Sequence, residues 1–162
     1  MRPWVDLTTE EFDGLDLART IAVLPLGATE QHGPHLPLSV DTDLAQAVLA
    51  RAADMVDPAL TVLTLPVQAI GRSVEHEHFA GTLSLSAETT IRVWMEIGAC
   101  VARAGVKKLV LFNGHGGNVS VMDIVARDLR AQYGLLTAHT SWYALSGQEG
   151  ALDAQELIHG IH

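Results

Sequence analysis

The chain has 162 residues, 48% of them hydrophobic and 18% charged, the composition of an ordinary globular domain long enough to bury roughly 70% of its unfolded surface. Lys and Arg number 10 against 19 Asp and Glu, a formal net charge of −9, which argues against nucleic acid or a membrane surface as partners, since both are gripped by cationic faces. The single cysteine, Cys100, can build neither an internal disulfide framework nor a Cys-based zinc knuckle, and points to a reducing compartment. The first residues carry an early acid and no apolar run, so no secretory signal is expected, and no apolar stretch approaches the roughly 18 residues that span a bilayer.

Taken in chain order, Thr20–Leu26 predicts a buried strand, near-continuously apolar, with Pro25 near its exit. Residues 41–56 predict a helix: Leu44, Ala47, Val48, Ala52 and Met55 keep a helical spacing, and Asp41 or Asp43 falls in the first turn, where carboxylates are favoured. A second strand is expected over 60–67 and a polar loop over 68–83. A helix follows over 86–104, with Ser86 as N-cap and Gly105 just past its end. Residues 108–112 predict a third strand, 113–118 a tight turn, 120–133 a helix closed by Gly134, and 135–141 a fourth strand. The tail, 146–162, is ambiguous. Alternating strands and helices predict an α/β fold, a parallel sheet with helices on both faces and right-handed crossovers. Ligands in such sheets sit beyond the carboxyl ends of the strands, where this sequence concentrates its polar residues.

Eight histidines fall as His32/His35, His76/His78, His115, His139 and His159/His162. After the first strand, Glu30 and His32 are two apart and point to the same side of an extended segment, which suits a divalent metal. Asp41 adds a third donor if the loop shaped by Gly33, Pro34 and Pro37 folds back. The competing reading is a capping Asp beside a surface loop. The turn Asn113-Gly114-His115-Gly116-Gly117-Asn118 reads either as an anion cradle or, through His115, as the source of another imidazole. The run 73–82, with Glu75-His76-Glu77-His78, is a solvated loop or a substrate-contacting lid. Cys100 is expected at a core position, His139 as a satisfied interior histidine, and Trp142 and Tyr143 as packing or a pocket wall.

Leu26-Gly27-Ala28-Thr29-Glu30-Gln31-His32-Gly33-Pro34-His35-Leu36-Pro37 with Asp41-Thr42-Asp43, then Glu75-His76 and Phe79-Ala80-Gly81-Thr82-Leu83-Ser84, then the Asn113–Asn118 turn, resemble in order the signature of the creatininase (creatinine amidohydrolase) family. The resemblance runs from about residue 20 to the end. It implies a three-layer α/β/α fold with a mostly parallel sheet, as one creatininase-like domain over 1–162 that lacks its C-terminal part. It also implies a centre of two divalent ions, zinc with zinc, manganese or iron, and a homo-oligomer, hexameric, in the cytoplasm. Glu30, His32, Asp41 and His115 match metal-ligand positions, with Asp41 bridging, Glu30 and His115 completing one site and His32 the other. His162 matches the histidine that opens the family's His-Ala-Gly motif, which the resemblance gives a part in catalysis or substrate contact. The resemblance departs at Gly117, where creatininase itself carries a ligating glutamate; relatives with the Gly-Gly form would supply a carboxylate downstream of the His-Ala-Gly histidine. The function implied is hydrolysis of an amide C–N bond in a small molecule or peptide by metal-activated water, with His162 protonating the leaving nitrogen. The Gly-Gly turn is closer to relatives that cleave a formamide on a pyrimidine nucleotide, or a peptide precursor of a redox cofactor, than to creatininase. The rival from another class is a truncated, non-catalytic remnant that binds metal or forms oligomers, and a further one is a nucleotide-binding module using the Gly-rich turn.

Overall fold

The computed structural model describes residues 1–145 and Gly160; the ambiguous tail, with His159 and His162, lies outside the described residues. Five strands form one parallel sheet: β1 (Arg2–Pro3), β2 (Thr20–Leu26), β3 (Thr61–Thr64), β4 (Lys108–Asn113) and β5 (Leu136–Ser141), in the order β1-β3-β2-β4-β5. The registers run Ile21 opposite Val62, Leu24 opposite Leu111 and Leu111 opposite His139. Pro25 lies within β2, beyond the point where β3 has ended, so no β3 partner is deprived of a donor.

Alternation along the strands sorts the core into two layers. Ala22, Leu24 and Leu26 of β2 and Leu109 and Leu111 of β4 face one side. There they pack with Trp94 of α3 (Ala87–Arg103) and Met122, Val125 and Leu129 of α4 (Val119–Tyr133). Val23 and Phe112 face the other side, against Ala45 and Leu49 of α2 (Val40–Ala53). The fold is therefore the expected α/β/α sandwich. Its helix ends follow local chemistry: the Ser86 side chain accepts from the Thr89 N–H at 3.2 Å, and Gly134 closes α4 in the left-handed conformation at φ 64°. Ser86→Ala is expected to cost about 1 kcal/mol in urea unfolding, since it leaves that N–H without its acceptor.

Several details differ from the sequence expectations, among them the two-residue strand β1 and a second expected strand shortened from 60–67 to Thr61–Thr64. The helix anticipated over 41–56 spans Val40–Ala53 and turns a different face inward: Asp41, Thr42, Ala45 and Leu49 are buried, Ala47 is exposed and Met55 is 80% exposed. Its first turn is committed to polar packing below the strand ends, and this rotates the apolar stripe. Cys100 is exposed on α3, where Arg103 donates to its sulfur at 3.0 Å, because the buried positions of that helix are Thr90, Trp94, Gly98, Ala99 and Val101. His139 is not interior either; it is partly exposed on the edge strand β5, 3.4 Å from Asp123. Ahead of β2, a short helix α1 (Thr9–Asp13) is closed by a reciprocal box between Thr8 and Glu11. The Arg2 guanidinium, 2.8 Å from the Glu11 carboxylate, and the Thr8 N–H hold that carboxyl down at about 2.

Candidate metal centre

The strand order turns back on itself at β2, which has β3 on one side and β4 on the other. Beyond the carboxyl ends of β2 and β4 this leaves the crevice that open α/β sheets use for ligands. Three of its walls come from separate parts of the chain. The segment after β2 carries Glu30 and His32, the first turn of α2 carries Asp41, and the turn after β4 carries His115. All four side chains are buried: Glu30 and His32 at 0%, Asp41 at 3% and His115 at 4% exposure.

The backbone reaches this arrangement through two close approaches. Gly27 lies against Thr42, whose hydroxyl donates to the Ala28 carbonyl at 3.2 Å, and Gly114 lies against the backbone carbonyl of Asp41 while its N–H donates to the Leu26 carbonyl at 2.7 Å. The two asparagines that bracket the turn are spent on shaping it. Asn113 Nδ2 donates to the His115 carbonyl at 2.6 Å and to the Ser141 hydroxyl at 3.0 Å, and Asn113 Oδ1 accepts from the His115 N–H at 3.1 Å. Asn118 Nδ2 donates to the Gly27 carbonyl at 3.1 Å, and Asn118 Oδ1 accepts from the Arg72 N–H at 3.1 Å. The motif is thus a staple joining β2, β4, β5 and the 71–73 segment. The group it presents to the crevice is His115, which already faces the buried carboxylates of Glu30 and Asp41, and these would repel a phosphate, so an anion cradle is disfavoured here.

Asp41 lies between the two histidines: its Oδ1 is 3.2 Å from His32 Nε2 and its Oδ2 3.1 Å from His115 Nδ1. Glu30 Oε1 is 3.3 Å from the same His115 nitrogen. Each imidazole is held from behind by a backbone carbonyl. His32 Nδ1 donates to the Glu30 carbonyl at 3.2 Å, and His115 Nε2 donates to the Arg72 carbonyl at 2.9 Å. Both rings are thereby turned with their remaining nitrogen toward the carboxylates, the arrangement that prepares an imidazole for a metal.

The electrostatics are strongly coupled. Burial alone lowers the His115 pKa, but the hydrogen bonds and charges of Asp41 and Glu30 outweigh it and push it up to about 10. His32 is raised on the same balance, burial opposing it and Asp41 prevailing. Burial raises both carboxyls, yet His115 brings Glu30 and Asp41 net below their ordinary values, helped at Asp41 by His32. Even so, His115 Nδ1 is shared between Glu30 Oε1 and Asp41 Oδ2 as an ion pair without well-aligned hydrogen bonds, and those two buried oxygens and Glu30 Oε2 stay under-satisfied. Oxygens orphaned at such depth are costly, and a cation among them would satisfy all three. Ligand atoms of Glu30, His32 and Asp41 fall within 4.8 Å of one another, as do those of Glu30, Glu75 and His115, so either group could hold an ion.

The remaining sequence candidates divide. The loop 73–82 does not simply run through solvent. Ser73 is fully buried beside His115 at 3.4 Å, His76 Nε2 is 3.8 Å from Glu30, and Gln31 Nε2 donates to His76 Nδ1 at 3.2 Å. Glu75 is indistinct in the sequence from its neighbour Glu77, yet it reaches within 4.0 Å of His115 Nε2. Its signal is the Glu-His alternation following Ser73, without a way to say which member turns inward. His35 and His78 are exposed, and His78 stacks on Phe79 with ring centroids 4.2 Å apart. Trp142 is partly buried against the core layer that contains Phe112, in keeping with a packing role. His162 lies outside the described residues.

Comparison with known proteins gives a consistent picture. A family model described as Creatininase, creatinine amidohydrolase, matches residues 5–162. The mycofactocin precursor peptide peptidase of Mycobacterium ulcerans is 44% identical over 115 residues, covering 68% of this chain and 46% of the relative. The creatinine amidohydrolase of Pseudomonas putida is 34% identical over 135 residues, covering 77% and 50%. A solved structure described as "Creatininase Mn" aligns with a TM-score of 0.78 and 28% identity, over 97% of this chain and 67% of that one. The chain spans about half the length of the curated relatives it matches.

Proposed function

The chain belongs to the creatininase (creatinine amidohydrolase) family, and from that premise we propose that it is a metal-dependent amidohydrolase whose centre is built on Glu30, His32, Asp41 and His115. The observation that carries this reading is Asp41, whose two oxygens each face a different, pre-oriented histidine. A carboxylate so placed suits a bridge between two divalent ions, with Glu30 and His115 on one and His32 on the other. Zinc, paired with zinc, manganese or iron, matches a donor set of imidazoles and carboxylates. When bound, such a pair supplies Lewis acidity and a water acidified toward neutral pH.

The chain's own residues do the rest. The Arg72 and Glu30 carbonyls fix the ring orientations, so the donors need little reorganisation to meet a cation. The apolar layers beneath the strand ends exclude water from below, leaving the side of Glu75, which is 44% exposed, for substrate entry. His162 is assigned the protonation of the leaving nitrogen, by its match to the family's His-Ala-Gly histidine.

The substrate class proposed is a peptide or peptide-like amide, because the relatives at 44% identity are named as peptide peptidases. A creatinine-like cyclic amide is the second reading, favoured by the creatinine amidohydrolase relative. A homo-oligomer, hexameric and cytoplasmic, belongs to the same proposal by the family resemblance alone. The test is hydrolysis of a panel of short peptide amides, formamides and creatinine by zinc- or manganese-loaded protein, before and after chelation. Turnover that disappears with chelation and returns with metal is expected. A chain that binds the ions and cleaves nothing on the panel is instead the non-catalytic remnant.

A further inference from the structure

We infer that Glu75 is itself a metal ligand, the carboxylate that completes the ion held by Glu30 and His115. This assignment rests on the two-ion reading above. One observation is the donor geometry. Ligand atoms of Glu30, Glu75 and His115 lie within 4.8 Å of one another, and this group shares Glu30 with the other, formed by Glu30, His32 and Asp41. The second is the demand from within: both Glu30 oxygens are fully buried with no well-aligned hydrogen bond, Oε1 meeting only the ion pair to His115, so the crevice holds more negative charge than its donors satisfy.

The third concerns Gly117, where the resemblance leads one to expect a ligating carboxylate and finds none. A Cβ at that position would collide with the Arg72 carbonyl, would sit 2.5 Å from His115 Nε2 and would sit 2.7 Å from Glu75 Oε1. The space a side chain at 117 would enter is already taken by the Glu75 carboxylate, which arrives from the other side on the single 3-10 turn Val74–His76. The glycine is thus required by the same packing that brings the Glu75 carboxylate beside His115. Exposure at 44% suits this role, because Glu75 can swing about its free torsions onto an ion, whereas the buried donors are fixed.

The alternative role for Glu75 is to hold the His115 ring through Nε2, at 4.0 Å. The choice of substitution separates the two. Glu75→Gln keeps an acceptor for an imidazole N–H but removes the anionic donor. Zinc titration by calorimetry, backed by metal content after gel filtration and by the visible absorption of the cobalt-loaded protein, is the measurement. For the parent, uptake of two ions per chain is expected. For Glu75→Gln, one tight event should remain while the other is lost, with a changed cobalt spectrum. Glu75→His, which restores a ligand, should recover the second ion. A Glu75→Gln titration and spectrum superimposable on the parent's would overturn the assignment while leaving the two-ion centre intact. A parent that takes up no ion would overturn both.

Discussion

Asp41→Ala is expected to purify without bound divalent metal and to show no rise in melting temperature when zinc is added. The argument starts from the position of the carboxylate. It is 3% exposed, and its two oxygens lie 3.2 Å from His32 Nε2 and 3.1 Å from His115 Nδ1. Removing it takes a donor from both ions of the proposed centre at once, whereas Glu30→Gln or His32→Ala takes a donor from only one. The parent should be stabilised by metal according to RT ln(1 + [L]/Kd), about 2.7 kcal/mol at a hundredfold excess over Kd. In Asp41→Ala that increment should vanish. In the presence of chelator the substitution should still destabilise, by about 3 kcal/mol, because it leaves the buried His32 and His115 rings short of their counter-charge. Denaturant unfolding with chelator, then with zinc, separates the two effects. Asp41→Ala protein that carries the parent's metal content would remove Asp41 from the centre.

Much of this is legible in the sequence, for identifiable reasons. β2, α3 and α4 are readable because local chemistry marks them: a continuous apolar run, a Ser86 cap, a Gly134 stop. Glu30, His32, Asp41 and His115 can be gathered from their positions along the chain because each follows a strand end or opens a helix, and a parallel sheet brings those points together. What escapes depends on tertiary packing. The buried face of α2 is set by the polar crevice above its first turn, so the apolar spacing of Leu44, Ala47 and Met55 points away from the face that is used. β1 has two residues and owes its existence to pairing with Leu63 and Thr64, which no local pattern announces. Glu75 enters through the curl of a loop. Its backbone is brought beside His115 by Ser73, Arg72 and Asn118, three residues whose bonds to one another or to the turn cross more than forty positions of sequence.

The same dependence makes a glycine outside the donor set decisive. Gly114 does not occupy the left-handed region, so its requirement is steric. A Cβ there would collide with the Asp41 backbone carbonyl and sit 3.3 Å from Ala45 Cβ. Neither neighbour can yield cheaply: the carbonyl belongs to the first turn of α2, and the Gly114 N–H is tied to the Leu26 carbonyl at 2.7 Å. Relief would require α2 and the Asn113–Asn118 turn to separate, and that separation moves Asp41 away from His115. Gly114→Ala should therefore cost about 3 kcal/mol in chelator, the upper end for overpacking a tight site, and should weaken zinc uptake as well. Gly116→Ala is the control. It lies two residues on in the same turn, meets no atom within 4 Å, and should leave stability within about 0.5 kcal/mol and metal content unchanged. Urea unfolding and metal analysis of the two variants side by side decide the matter. Equal behaviour would mean that the approach of α2 to the β4 turn does not set the geometry of the centre. A loss confined to Gly114→Ala would place the reason for the glycine in the carbonyl of the very residue whose side chain faces both histidines.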